Sequence, residues 1–271
     1  MIPNILSIAG SDPSGGAGIQ ADIKAISANG GYAMAAITAL TAQNTQGVTG
    51  VQMIAPDFVA AQIAAIRADI RVDAVKIGML GTAAIIRAVL EGLSGLTVPI
   101  VLDPVMVAKS GDRLLQAEAV AALRAALPIA SIITPNLPEA ADLLGVPEAT
   151  TRAEMQAQGQ ALLALGVQAV LLKGGHLPGE DCPDLLASAA GVTWLPGTRH
   201  ATRKTHGTGC TLSSALATHL GLGLPLLQAA DQAKAYVARA IATADALTVG
   251  MGHGPTHHFH AISKGSTPSL I

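Results

Sequence analysis

Six short aliphatic runs, at 4–9, 33–39, 74–77, 100–102, 131–133 and 169–172, punctuate this chain. They are strand-length and mostly lack the polar alternation of a half-exposed strand, so they predict strands covered on both faces. Between them lie segments of helical period at 17–29, 56–69, 82–93, 116–127, 137–144 and 152–165. Strand–helix–strand repetition with short loops predicts a doubly wound, mostly parallel α/β sheet flanked by helices. From 184 to 198 the pattern turns hairpin-like, with Gly191 and a Pro196-Gly197 turn, which predicts a short antiparallel edge. Two long helices are expected at 208–220 and 226–243, and no linker or repeat interrupts the pattern. The expected organisation is one domain over 1–263, with 264–271 of turn composition and read as a flexible tail.

Composition narrows the partners. Half the residues are apolar and 13% are charged, which excludes a disordered chain. Aromatics make only 2%, so the core must be Ala, Leu, Ile and Val, and base-stacking surfaces are not expected. A formal net charge of −2 offers no electrostatic capture of nucleic acid or an anionic membrane. The mean hydropathy of +0.48 calls for a membrane test. The longest uncharged stretch, 25–56, is broken by Asn29, Gly30, Gly31, Gln43 and Asn44 and does not span hydrocarbon. The opening Met1-Ile2-Pro3-Asn4 has no basic n-region, and two cysteines make no disulfide framework. The expected compartment is the cytoplasm.

Chemistry concentrates where strands end, the edge at which such sheets bind ligands. After the first strand comes Gly10-Ser11-Asp12-Pro13-Ser14-Gly15-Gly16-Ala17-Gly18, opening a helix. It is not a P-loop, because Gly16 and Ala17 stand where Lys and Ser or Thr are required. Asp22, a turn into that helix, reads either as a ligand-facing acid or as an ordinary solvated one. Gln43 and Asn44 follow the second strand, and amides suit a heterocyclic edge or a plain turn. Met79, after the strand at 74–77, covers an apolar ligand face or packs the core. Asp103 ends the strand at 100–102, where a carboxylate suits water-held Mg²⁺ near phosphates or a simple cap. A flap is expected at 108–112. Asn136 and Glu139 have the spacing of a capping box, while the functional reading puts Glu139 on a metal–phosphate water shell. Lys173-Gly174-Gly175 offers a cation and exposed amides to phosphate.

The sharpest segment is His206-Gly207-Thr208-Gly209-Cys210-Thr211, a glycine turn leading into a helix. Its amides form an anion nest at the positive helix end, and Cys210 stands there as an activatable nucleophile-side group. The helix end predicts a lowered Cys210 pKa. Positioning plus charge stabilisation beside an activating group is what phosphoryl transfer needs. A helix start with a small buried Cys has the same spacing. His253, His257, His258 and His260 have no Cys or close acid beside them, and Pro255 interrupts any helix, so they are not read as a zinc site.

Taken in order, these segments resemble the hydroxymethylpyrimidine/phosphomethylpyrimidine kinases of the ribokinase-like superfamily across nearly the whole chain. The stretches Ala9 to Asp22, Thr41 to Thr45, Lys76 to Leu80, Asp103 to Met106, Ala108 to Gly111, Ile133 to Ala140, Leu172 to His176 and His206 to Thr211 carry the likeness, with the ending Gly254 to His260. The resemblance implies a kinase that uses ATP and Mg²⁺ to phosphorylate 4-amino-5-hydroxymethyl-2-methylpyrimidine and then its monophosphate. It implies Gly10, Asp22, Gln43, Met79 and Val105 around the pyrimidine, with Asp22 and Gln43 reading ring nitrogens and the exocyclic amine. It implies Asp103 and Glu139 on the Mg²⁺–triphosphate shell, Lys173, Thr208 and Lys234 on ATP, and the Gly207, Thr208 and Gly209 amides as anion hole. Most sugar kinases of the superfamily carry Asp where this chain has Cys210, so Cys210 becomes the general base. A homodimer is expected from the same resemblance. The alternatives are a pyridoxal or pyridoxine kinase, including a dual-specificity enzyme, and a non-catalytic nucleotide sensor.

Overall fold

Side-chain alternation along the inner strands divides the protein into two cores. On β1 (Asn4–Ser11), Leu6 and Ile8 enter one core while Ile5 enters the other. On β5 (Ile100–Leu102), Leu102 and Val101 divide in the same way. A strand apolar on both faces needs a helix layer on each side. The computed structural model describes residues 1–106 and 117–262. The flap expected at 108–112 and the tail at 264–271 lie outside the described residues.

The remaining strands are β2 (Tyr32–Asn44), β3 (Gly47–Met53), β4 (Ala74–Ile77), β6 (Ile132–Ile133), β7 (Ala169–Leu172), β8 (Asp184–Ser188) and β9 (Gly191–Leu195). They form one sheet in the order β3-β2-β1-β4-β5-β6-β7-β8-β9. The six strands from β2 to β7 in that order are parallel, with Ile5 opposite Ala33 and Ala74, Val101 opposite Ile132, and Ile133 opposite Val170. β3 pairs antiparallel with β2, and β8 and β9 close the other edge antiparallel. The doubly wound sheet and its antiparallel edge are therefore as the alternation predicts. A second antiparallel edge, β2–β3, is new: β2 runs on to Asn44, and the amide-rich segment is the hairpin end rather than a loop. Asn44 Oδ1 accepts from the Gln46 amide at 2.8 Å to make that turn.

Helices α1 (Gly18–Ala28), α7 (Thr208–Gly221) and α8 (Leu226–Ala242) cover one face. Ala215, Ala217, Ala229, Ala230 and Ala233 are fully buried there, and their small side chains let α7 and α8 approach closely. Helices α2 (Pro56–Asp69), α3 (Ala83–Leu93), α4 (Ala117–Ala126), α5 (Leu137–Leu144) and α6 (Arg152–Leu163) cover the other. Thr82 caps α3 by accepting from the Ile85 amide, and reciprocal Asn136/Glu139 and Thr151/Glu154 pairs cap α5 and α6. Among the described residues no helix is long and apolar enough to cross a membrane.

The chain leaves β1 toward β2 on one side and later enters β4 on the other side of β1. That reversal makes the crevice beyond the carboxyl ends of β1 and β4 the expected ligand site. α7 packs against α1, β1, β4 and β5, which brings its first turn over this crevice.

Candidate active site

The turn before α7 is built around glycine. Gly207 caps the helix at φ 75°, a left-handed conformation that favours glycine, and a Cβ there would lie 1.8 Å from the Gly16 carbonyl oxygen. Gly18 (φ 55°) likewise meets the Gly10 carbonyl. The loop after β1 and the turn at 205–209 thus interlock backbone against backbone. The Gly209 and Cys210 amides fall in the helix's first turn, where no carbonyl four residues earlier lies within the helix to receive them. Thr208 donates its hydroxyl to the Thr205 carbonyl at 2.7 Å, which holds the turn closed. Thr211 Oγ1 donates to the Gly207 carbonyl at 2.8 Å and lies 3.0 Å from His258 Nε2. Burial holds the His258 imidazole down to about 4, so it is neutral there. The His-rich ending therefore buttresses the start of α7 from beneath.

Cys210 is half-buried at that start, and the Gly18 amide donates to its sulfur. Its thiol is pushed up to about 11, first by burial and then by the carboxylates of Asp22 and Asp103, against the pull of the Lys76 ammonium. The expectation of a lowered value is corrected. The helix end acts locally, whereas desolvation and two carboxylates from distant segments outweigh it.

Asp22 is a second correction. Expected to read the ring, it is fully buried, and its oxygens take Lys76 Nζ at 2.9 Å, Ser7 Oγ at 2.6 Å and Ser214 Oγ at 2.8 Å. Each oxygen already receives two donors, so nothing remains for a ligand. Gly18 and Asp22 share a face of α1, as Cys210 and Ser214 share a face of α7. The Asp22–Lys76 pair therefore lies one helical turn beneath the Gly18–Cys210 contact. Lys76 is also fully buried, and Asp22 raises its pKa against the opposing effect of burial. A lysine in the four-residue apolar strand β4 needs a buried anion, and Asp22 is that anion.

A second cluster faces Gly209. Lys173 Nζ is 3.1 Å from Asp103 Oδ1 and 3.8 Å from Glu139 Oε2. A Cβ on Gly209 would lie 3.2 Å from Lys173 Nζ and 3.3 Å from Asp103 Oδ2. Asp103 is held by Thr134 Oγ1 at 3.2 Å and Ser213 Oγ at 3.5 Å. Glu139 Oε2 accepts the Asn136 amide at 2.8 Å, so its capping and cluster roles coexist. Burial, assisted by Asp103 and opposed by Lys173, pushes the Glu139 carboxyl up to about 7. Asp103 Oδ2, whose one hydrogen bond among the described residues is the long Ser213 contact, and Glu139 Oε1 supply two hard oxygens beside the anion nest. That donor set fits Mg²⁺, which binds through one or two carboxylates plus phosphate and water.

Lys234 does not join this cluster. Its ammonium bonds Asp184 Oδ2 at 2.7 Å and the Cys182 carbonyl at 3.0 Å, so the expected phosphate contact is corrected to a tie between α8 and edge strand β8. Gly10, at the end of β1, and Met79, after β4, stand together, while Val105 follows β5. A Cβ on Gly10 would stand 3.1 Å from Met79 Sδ, and Val105 is half-buried two residues after Asp103. Gln43, half-buried on β2, has its side-chain amide 3.4 Å from His206 Nε2 and 3.2 Å from Thr41 Oγ1. His206 Nε2 lies 2.7 Å from Asp12 Oδ2. Burial opposes ionisation of Asp12, but hydrogen bonds from His206 and Ser14 hold its carboxyl below the usual range.

The family described as phosphomethylpyrimidine kinase matches residues 12–257. The hydroxymethylpyrimidine/phosphomethylpyrimidine kinase of Escherichia coli K12 is 54% identical over 260 residues, covering 95% of this chain and 98% of that one. The phosphomethylpyrimidine kinase structure from Clostridium difficile 630 superposes with a TM-score of 0.78 at 42% identity, over 88% of this chain and 99% of that one. The ADP complex of Bacillus subtilis pyridoxal kinase superposes with a TM-score of 0.89 at 37% identity, over 96% and 99%.

Proposed function

With the chain belonging to the phosphomethylpyrimidine kinase family, the ATP-dependent phosphotransferases of thiamine biosynthesis, we propose that it performs both transfers at the turn 207–210. The γ-phosphate of ATP passes to 4-amino-5-hydroxymethyl-2-methylpyrimidine and then to the resulting monophosphate. The observation that carries this is the meeting, at one helix start, of the Gly209 and Cys210 amides with the Lys173–Asp103 pair.

Amides and the Lys173 ammonium hold the migrating group where its charge spreads. In the first transfer the pyrimidine hydroxyl gives its proton to the Cys210 thiolate, its oxygen bonds the γ-phosphorus, and the bond to the β-phosphate oxygen breaks to release ADP. In the second transfer the attacking phosphate oxygen is already anionic and needs no base. Asp103 and Glu139 would hold Mg²⁺, which neutralises phosphate charge when bound. Gly10, Met79 and Val105 shape the ring slot, and Gln43 reads the ring edge. Asp22 supports the site as the counter-ion of Lys76. Lys173 and Thr208 bind the ATP phosphates, the protein works in the cytoplasm as a homodimer, and 1–263 forms one domain.

Pyridoxal is the second substrate weighed, favoured by the Bacillus subtilis pyridoxal kinase likeness. Incubation with ATP, Mg²⁺ and either alcohol, resolving mono- and diphosphate products, tests the reading. Monophosphate followed by diphosphate from the pyrimidine supports it. A greater kcat/KM for pyridoxal overturns the substrate, and nucleotide binding without product overturns catalysis.

A further inference from the structure

The surroundings of Gln43 decide which way its amide faces. His206 Nε2 is 2.7 Å from a carboxylate oxygen of Asp12, so this nitrogen carries a hydrogen and donates it. Thr41 Oγ1 has one hydrogen, and the Ser11 carbonyl at 2.9 Å takes it. The amide nitrogen of Gln43 set against His206 would place two N–H donors face to face at 3.4 Å, with Gln43 oxygen left competing for the Thr41 hydrogen. Turned by 180°, Nε2 donates to Thr41 Oγ1, and Oε1 faces the His206 Nε2–H as the longer arm of a hydrogen shared with Asp12, so no two donors oppose each other.

His206 is itself immobilised. Its backbone amide donates to the Gly254 carbonyl at 3.0 Å. Its ring lies where a Cβ on Gly16 would come within 2.4 Å of Cδ2. Asp12, which anchors the ring, accepts in turn from the Ser14 and Ala17 amides at 2.9 and 2.8 Å.

We propose that His206, held by Asp12, is a positioning residue that fixes the Gln43 amide orientation and so sets the donor–acceptor order accepted at the substrate's ring edge. This rests on the reading that Gln43 contacts that edge. A 4-aminopyrimidine presents an acceptor at N3 beside a donor amine, and its 4-oxo counterpart reverses the two. A fixed amide matches one order, whereas an amide free to turn matches both.

The test compares kcat/KM for the 4-amino alcohol and its 4-oxo counterpart in the full chain and in His206→Phe, His206→Gln, Thr41→Val and Gln43→Ala. In His206→Phe the preference for the amino substrate falls by roughly tenfold, chiefly through KM. His206→Gln keeps a donor and restores most of the preference. Thr41→Val frees the other end of the amide, lowers the preference in the same sense, and decides the matter if His206→Phe does not fold. Equal losses for both substrates in His206→Phe, or in Thr41→Val in its place, overturn the positioning role. If Gln43→Ala erases the preference and neither neighbouring variant does, positioning alone fails. If Gln43→Ala leaves the preference intact, the ring reading itself fails.

Discussion

Replacing Lys76 with Met removes one partner of an ion pair in which both side chains are fully excluded from solvent. Met nearly matches the Lys stem in length, so the packing change is small and the electrostatic change dominates. Asp22 keeps the hydroxyl donors of Ser7 and Ser214 but loses an ammonium held at 2.9 Å from each oxygen. Each remaining neutral donor is worth about 1 kcal/mol net, too little to solvate a buried carboxylate. Stranding one charge of a buried pair costs about 3–5 kcal/mol, and the two surviving donors set the expectation near 4 kcal/mol. A domain stable by about 5–15 kcal/mol still folds after that loss. Urea unfolding measures it, with two-state behaviour checked by coincident fluorescence and circular dichroism. The double variant Lys76→Met/Asp22→Asn removes the stranded charge and regains most of the loss. A decrease below about 1 kcal/mol, or a double variant no more stable than the single, refutes the assigned balance.

Three further expectations follow from the same geometry. Glu139 in the folded protein binds its proton more tightly than its ordinary value of 4.5 allows, up to about 7. Stability therefore falls as pH rises through that window and levels off above it. Glu139→Gln keeps the cap and flattens the slope, which thermal melts from pH 5 to 8 detect. Lys234→Met destabilises by about 2 kcal/mol through loss of its largely buried Asp184 partner while changing the KM for ATP less than threefold, read by urea unfolding and initial rates. Gly207→Ala drives a Cβ into the Gly16 carbonyl and lowers ATP turnover with the pyrimidine alcohol by more than about 100-fold, checked by product formation.

The sheet was legible because its inner strands are flat-apolar: the runs at 74–77, 100–102 and 169–172 coincide with β4, β5 and β7. The β2–β3 hairpin was not, because β2 beyond Ala39 and the whole of β3 are exposed or half-buried, with no buried face to impose an alternation. Strand-end motifs located the active edge, since parallel strands gather their carboxyl ends together. Convergence of Asp103, Glu139 and Lys173 came through resemblance, as no local pattern joins residues up to 70 positions apart. Segments far along the chain decide two positions against expectation: Lys76, 54 residues beyond Asp22, takes up the carboxylate that the resemblance placed on the ring, and burial overrides the helix end at Cys210. His206 belongs to the glycine-turn segment before α7, and its place beside Asp12 and Gln43 depends on residues 194 and 163 positions away.

The most direct test of the Cys210 assignment is to measure the two transfers separately in Cys210→Ala, from the pyrimidine alcohol and from its monophosphate, across pH 7 to 9. A thiol near 11 makes the thiolate scarce at neutrality, so the wild-type alcohol step climbs with pH, while the monophosphate, ionised near pH 6, gives a flat second step. The variant loses about 10²-fold or more in the alcohol step, together with its pH slope, and far less in the second. Equal losses in both steps, or an alcohol step whose pH slope survives the substitution, contradict the assignment.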